Sequence, residues 1–205
     1  MALDHNILLE VGTNELEIVE FSLKNDTKDY MFGINVAKVK EVLKITSKDI
    51  TPLPESKNIE GIIRIRDTVI PVINLKKVFG IHSTSQETNK LYLLYCYFNT
   101  ISVGFIIDNI IGIKKVNWNH IETGGNIVAE HDNKLVGIIK LPDKLIQLLD
   151  YEQIVSDIAP EIVQKKLETV YTLSPNNIKE LTNKKILFAE DSSLIRNLLS
   201  SFCSK

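Results

Sequence analysis

Short runs of alternating apolar and polar residues fill the first 150 positions, and such alternation predicts strands. In Glu17-Ile18-Val19-Glu20-Phe21-Ser22-Leu23, Ile18 and Glu20 fall on one face and Val19, Phe21 and Leu23 on the other, the pattern of a half-buried strand. Tyr30-Met31-Phe32-Gly33-Ile34 follows the polar turn Lys24–Lys28 and completes a hairpin. Val36 to Leu43 stays open between two forms: its apolar spacing suits a short helix, while its three valines favour strand.

Pro52 and Pro54 impose an extended connection. Ile59 to Arg66 and Val69 to Ile73 predict a second hairpin turning at Asp67-Thr68, with Pro71 marking an edge strand or a bulge. Leu75 to Phe79 is a helical turn stopped by Gly80. Further strands are predicted over Lys90–Phe98, Ile101–Ile107, Asn109–Val116, Leu135–Leu141 and Leu145–Leu149, with a bulge at Gly112. So many short strands point to sandwich or barrel architecture. After Asp150 the period changes: Ile154, Ile158, Ile162 and Leu167 recur at helical spacing, interrupted by Pro160. From Lys184 an apolar strand, an acidic turn and an amphipathic helix open a β/α unit of a different domain.

Composition narrows the function classes. The 205 residues carry 24 Lys+Arg and 26 Asp+Glu, a net charge of −2, with no concentrated basic patch to expect a nucleic-acid or membrane-surface binder. Two cysteines are too few for a disulfide framework; Cys96, inside an apolar run, reads as a small buried hydrophobe. The N-terminus lacks a signal-peptide pattern, and no apolar run approaches the roughly 18 residues that span a bilayer, so a cytoplasmic location is expected. His5, His82, His120 and His131 are scattered without metal-ligand spacing, and no nucleophile elbow or phosphate loop occurs. Trp118 is expected in the core or at its rim. The body of the chain is therefore read as non-enzymatic.

Glu190 and Asp191 end the late apolar strand, where open α/β sheets bind ligands. Adjacent carboxylates suit Mg²⁺, although from this dipeptide alone a cap on the following helix, by Asp191 or Ser192, is the simpler reading. Ile186-Leu187-Phe188-Ala189-Glu190-Asp191-Ser192-Ser193-Leu194-Ile195-Arg196 resembles the first strand and helix start of response-regulator receiver domains. In that family the acidic pair holds Mg²⁺ beside a phosphorylatable aspartate on a later strand. Residues 184–205 supply one strand and one helix, so the expectation is a truncated receiver with no phosphoacceptor. Mg²⁺ would then be taken only by an intact receiver, and this chain would need no cofactor.

Ile59-Glu60-Gly61-Ile62-Ile63-Arg64-Ile65-Arg66-Asp67-Thr68-Val69-Ile70-Pro71-Val72-Ile73-Asn74-Leu75 resembles the central hairpin of CheW-like chemotaxis coupling proteins. Gly61, Arg66, Pro71, Asn74 and Leu75 match that pattern, and Asp67 departs from it where glycine is usual. The leader Ile7–Glu17, the Phe21 and Tyr30 segments, Val39-x-Glu41-Val42 and Leu145–Asp150 extend the likeness towards CheV, a CheW-like domain fused to a receiver. The resemblance implies a mainly β fold of two small five-stranded β-barrel subdomains, followed by a helical linker and an incomplete α/β receiver start. It partitions the chain into a leader (1–16), a coupling domain (17–158), a linker (159–183) and a receiver start (184–205). It implies an adaptor, located at chemoreceptor arrays, between the chemoreceptor cytoplasmic tip and the histidine kinase CheA, regulated by receiver phosphorylation in the intact protein. Val39, Glu41 and Arg66 are the partner-binding candidates, with Arg66 either touching the partner or bracing the subdomain interface through an ion pair. The competing readings are a phosphoryl-accepting response regulator and an unrelated β-barrel enzyme.

Overall fold

A computed structural model describes residues 14–53, 59–83, 91–98, 101–122, 134–159 and Leu187. The chain divides into two units, Met1–Asp150 and Tyr151–Lys205. Of the second, α2 (Tyr151–Ile158) is described; it begins the helical stretch expected after Asp150, and the Gln153 side-chain amide donates to Asp157 at 2.7 Å. Residues 160 onward, Leu187 excepted, lie outside the described residues, and with them the expected linker, the receiver start and the carboxylates of Glu190 and Asp191.

The first unit is mainly β. Its strands are β1 (Glu15–Lys24), β2 (Asp29–Asn35), β3 (Val39–Ile45), β4 (Ile59–Ile65), β5 (Thr68–Asn74), β6 (Leu91–Phe98), β7 (Ile101–Ile107), β8 (Asn109–Asn117), β9 (Ile121–Glu122), β10 (Leu135–Lys140) and β11 (Leu145–Leu149), with the short helix α1 (Leu75–Val78) after β5. They form a six-stranded sheet, β8-β1-β2-β11-β10-β9, and a five-stranded sheet, β3-β6-β7-β5-β4. Both orders are open, which corrects the expected closed barrels. The chain after β3 is drawn onto β4 by one isolated bridge, Thr51 with Ile62, whose two backbone hydrogen bonds are each 2.8 Å.

Each sheet encloses its own apolar cluster. Ile45, Ile63, Ile70, Val72 and Leu93 fill one, and Ile18, Val116, Ile139, Ile146 and Leu148 the other. The opposite faces turn towards each other: β1 approaches β7 and β6 approaches β8. Strand β1 therefore buries both faces. Ile18, Val19, Glu20, Phe21, Ser22 and Leu23 are all buried, so the half-buried strand expected from alternation is corrected. Stacked rings link the parts, Phe21 on Phe32 at 5.7 Å and Phe32 on Phe79 at 5.4 Å.

Pro71 is also reassigned. Strand β5 is internal, flanked by β4 and β7. Its parallel ladder with β7 begins at Val72, so the missing Pro71 N–H costs no bond on that side. The bulge lies instead in β4, between Ile59 and Gly61. The ambiguous segment Val36–Leu43 resolves into a 3-10 turn, Val36–Lys38, capped by the Asn35 side chain, and then β3. Gly80, at φ +61°, ends α1 as expected, and Trp118 sits exposed in a 3-10 turn at the rim.

The two sheets repeat one plan. The edge strands β3 and β8 each shift register at one residue, Lys40 and Ile111, and each is followed by a 3-10 turn. Gly104 of β7 faces Val72 of β5 as Gly33 of β2 faces Leu148 of β11, and both pairings are parallel. Ile59-Glu60-Gly61-Ile62-Ile63 in β4 corresponds to Leu135-Val136-Gly137-Ile138-Ile139 in β10. Thr51 meets Ile62 where Glu122 meets Ile138.

Cys96, buried on β6, carries a thiol that burial pushes well above its usual pKa. The folded thiol stays protonated at a pH where the unfolded one ionises, so this group's stabilising contribution is present below about pH 8.5 and falls as pH rises further. Native protein at pH 8 is expected to react with a thiol reagent at Cys96 only at its unfolding rate, checked by time-resolved mass spectrometry with and without urea.

Candidate interaction site

The three candidates of the coupling domain come together at one end of the five-stranded sheet. Val39 and Glu41 lie on the edge strand β3, and Arg66 occupies the two-residue turn between β4 and β5. Strands β3 and β4 are opposite edges of the sheet, yet the Arg66 guanidinium reaches the Glu41 carboxylate at 3.0 Å. The curl of the sheet makes this possible. The ion pair joins two margins of one sheet. Arg66 is 79% exposed and Glu41 32%, so the pair contributes at most about 1 kcal/mol to folding. Its geometry serves to aim the guanidinium.

The turn adds a second constraint. Arg66 has φ +54°, the left-handed region that hairpin turns of this length usually give to glycine, asparagine or aspartate. Arg64 steadies it, donating from Nε to the Arg66 carbonyl at 3.0 Å and lying 3.7 Å from Asp67. A large cationic side chain thus sits at a strained, exposed position that glycine would fill more cheaply. Arg66→Gly is expected to leave stability unchanged or raise it by up to about 1 kcal/mol, read by urea unfolding, while removing the guanidinium from the surface.

Val39 is half-buried beside Cys96 across the ladder, and Val42, two residues beyond Lys40 on the same edge, is 41% exposed. Three lysines accompany them. Lys40 lies 5.2 Å from the Tyr95 ring centroid and 5.3 Å from that of Tyr97; Lys44 lies 5.8 Å from Tyr92, and Lys38 5.5 Å from Phe98. Val42, Lys40, Lys44 and Tyr97 are the surface residues that sequence reasoning missed. The ambiguity between helix and strand over Val36–Leu43 concealed that Lys40 and Val42 point outward on one face. Among the described residues no group of three or more His, Cys, Asp or Glu is placed to hold a metal ion, and no helix is long and apolar enough to cross a membrane.

Residues 17–159 match the model of the CheW-like domain family. The chain belongs to that family. Its CheW-like domain resembles the crystal structure of the scaffolding protein TtCheW from Thermoanaerobacter tengcongensis, with a TM-score of 0.58 and 31% identity over 66% of this chain and 88% of that one. Chemotaxis protein CheW of Thermotoga maritima is 30% identical over 146 residues, 70% of this chain and 90% of its own. Chemotaxis protein CheV3 of Helicobacter pylori is 26% identical over 204 residues, 96% of this chain. The chain spans 63% of the length of that CheV relative.

Proposed function

We propose that this protein is a chemotaxis adaptor that couples chemoreceptors to the histidine kinase CheA, with the kinase docking on the β3 edge around Val39, Glu41 and Arg66. The observation that carries the reading is the ion pair between Glu41 and Arg66, which fixes a strained, exposed guanidinium beside the partly apolar edge strand. Membership in the CheW-like family supports the scaffold role. The work of such a protein is binding: apolar side chains at a sheet edge supply contact, and a few placed charges fix the register of the partner.

The reading extends to the C-terminal segment. The likeness to CheV3 runs over 204 residues, whereas that to the Thermotoga CheW covers 146, which supports a CheV-type arrangement with a receiver start over 184–205. In a complete protein of that type, phosphorylation of the receiver regulates coupling, and Glu190 and Asp191 supply carboxylates for Mg²⁺.

Purified CheA tests the adaptor reading by pull-down and titration calorimetry. Val39→Asp and Arg66→Gly are each expected to weaken binding by about tenfold or more, the range for truncating a well-placed contact. Both variants are expected to keep the wild-type circular-dichroism spectrum. Wild-type protein that shows no affinity for CheA would refute the reading.

A further inference from the structure

The repeat between the two sheets isolates what the β3 edge carries beyond the needs of the fold. At the register shift of the edge strand, one sheet has Lys40 and the other Ile111, so the bulge itself requires no cation. Further along, Lys44 and Lys115 occupy the same position. Lys115 faces Glu17 across the ladder and pairs with it at 3.2 Å. Lys44 faces Tyr92, which orders the ammonium without cancelling its charge. Among the described residues Lys115 thus has a carboxylate across its ladder and Lys44 does not.

Lys40 and Lys44 are therefore exposed on one edge with no ion pair among the described residues, and the nearby Glu41 is already held by Arg66. The chain as a whole is at −2, so this strip runs against the overall charge. The aromatic rings beneath Lys40 and Lys44 hold the ammonium groups in place before any partner arrives, which lowers the ordering cost of binding.

We infer that the β3 edge selects its partner electrostatically, and that the surface of the kinase regulatory domain that docks there is acidic. This rests on the adaptor reading above. Carboxylates on that partner meet Lys40 and Lys44 flanking Val42, steer the encounter, and are screened by salt.

Stopped-flow association with the CheA regulatory domain tests it, using the full chain. At about 50 mM salt, Lys40→Glu/Lys44→Glu is expected to slow association about tenfold or more, and the gap is expected to close at about 500 mM, where charges are screened within a few ångströms. Lys40→Arg/Lys44→Arg keeps the wild-type rate. Lys28→Glu, on the β1–β2 turn, makes the same charge change per residue as each edge substitution and shifts the rate less than about twofold. Wild-type binding whose salt dependence matches that of the double Glu variant overturns this inference alone. Absence of wild-type binding at every salt concentration overturns the adaptor reading and this inference with it.

Discussion

Gly61→Ala is expected to destabilise the first unit by about 3 kcal/mol or more, the largest effect of any single methyl group in this protein. A Cβ built on Gly61 would lie 2.2 Å from the Thr51 carbonyl oxygen and 2.8 Å from its carbonyl carbon. Both are backbone atoms, which no rotamer change can move. That same carbonyl accepts the Ile62 N–H at 2.8 Å, so relieving the clash breaks the bridge that draws the strap after β3 onto β4. Gly137→Ala meets the Glu122 carbonyl oxygen of the two-residue edge strand β9 at 2.7 Å, a less severe approach, so a smaller loss is expected. Gly80→Ala, at φ +61° with no atom within 4 Å, isolates left-handed strain at about 1 kcal/mol. Urea unfolding of the three variants checks this order. Equal losses at Gly61 and Gly80 would show that the strap is not held at that distance.

The second large effect lies in the other sheet. Glu20 is buried on β1 and paired with Lys144 between β10 and β11. Lys144→Met is expected to cost about 2–3 kcal/mol, somewhat less than a fully buried pair because the lysine side chain is 25% exposed. The loss arises from a buried carboxylate left without its partner. The repeat supplies the control. Tyr95 faces Gly104 as Glu20 faces Gly33, so the plan tolerates a largely apolar side chain at this position. Glu20→Leu/Lys144→Met should recover most of the stability, and a double-mutant cycle measures the coupling. A double variant as unstable as the sum of its parts would mean that the pair is not coupled.

Much of the fold was legible along the chain. The β1–β2 and β4–β5 hairpins, β6 to β8, β10, β11 and the glycine-stopped α1 stand where alternation and turn residues put them. The errors have particular causes. Alternation in β1 predicts one buried face, yet Glu20 and Ser22 on the polar side are buried too, because that side, shared with Ile18, lines the interior of its own curled sheet while the second sheet covers the other. Pro71 predicts an edge strand or a bulge, yet it needs only the absence of one bond, and the β7 ladder starts one residue later. The echo of Ile59–Ile63 in Leu135–Ile139 is present in the sequence, but its meaning depends on knowing that both strands pair at the same place in two sheets.

Residue type and spacing by themselves fixed the strands, the family likeness, and Val39, Glu41 and Arg66 as the residues to watch. Only the tertiary structure decided that Glu41 and Arg66 meet across opposite edges of one sheet, that Arg66 stands in a left-handed turn, and that Lys44 faces a tyrosine where Lys115 faces a glutamate. Side-chain period tells a strand which residues share a face. It does not tell the strand which neighbours will cover that face or stand opposite it. Those neighbours come from distant segments, and whether a charge is cancelled, buried or left for a partner is settled only when they pair.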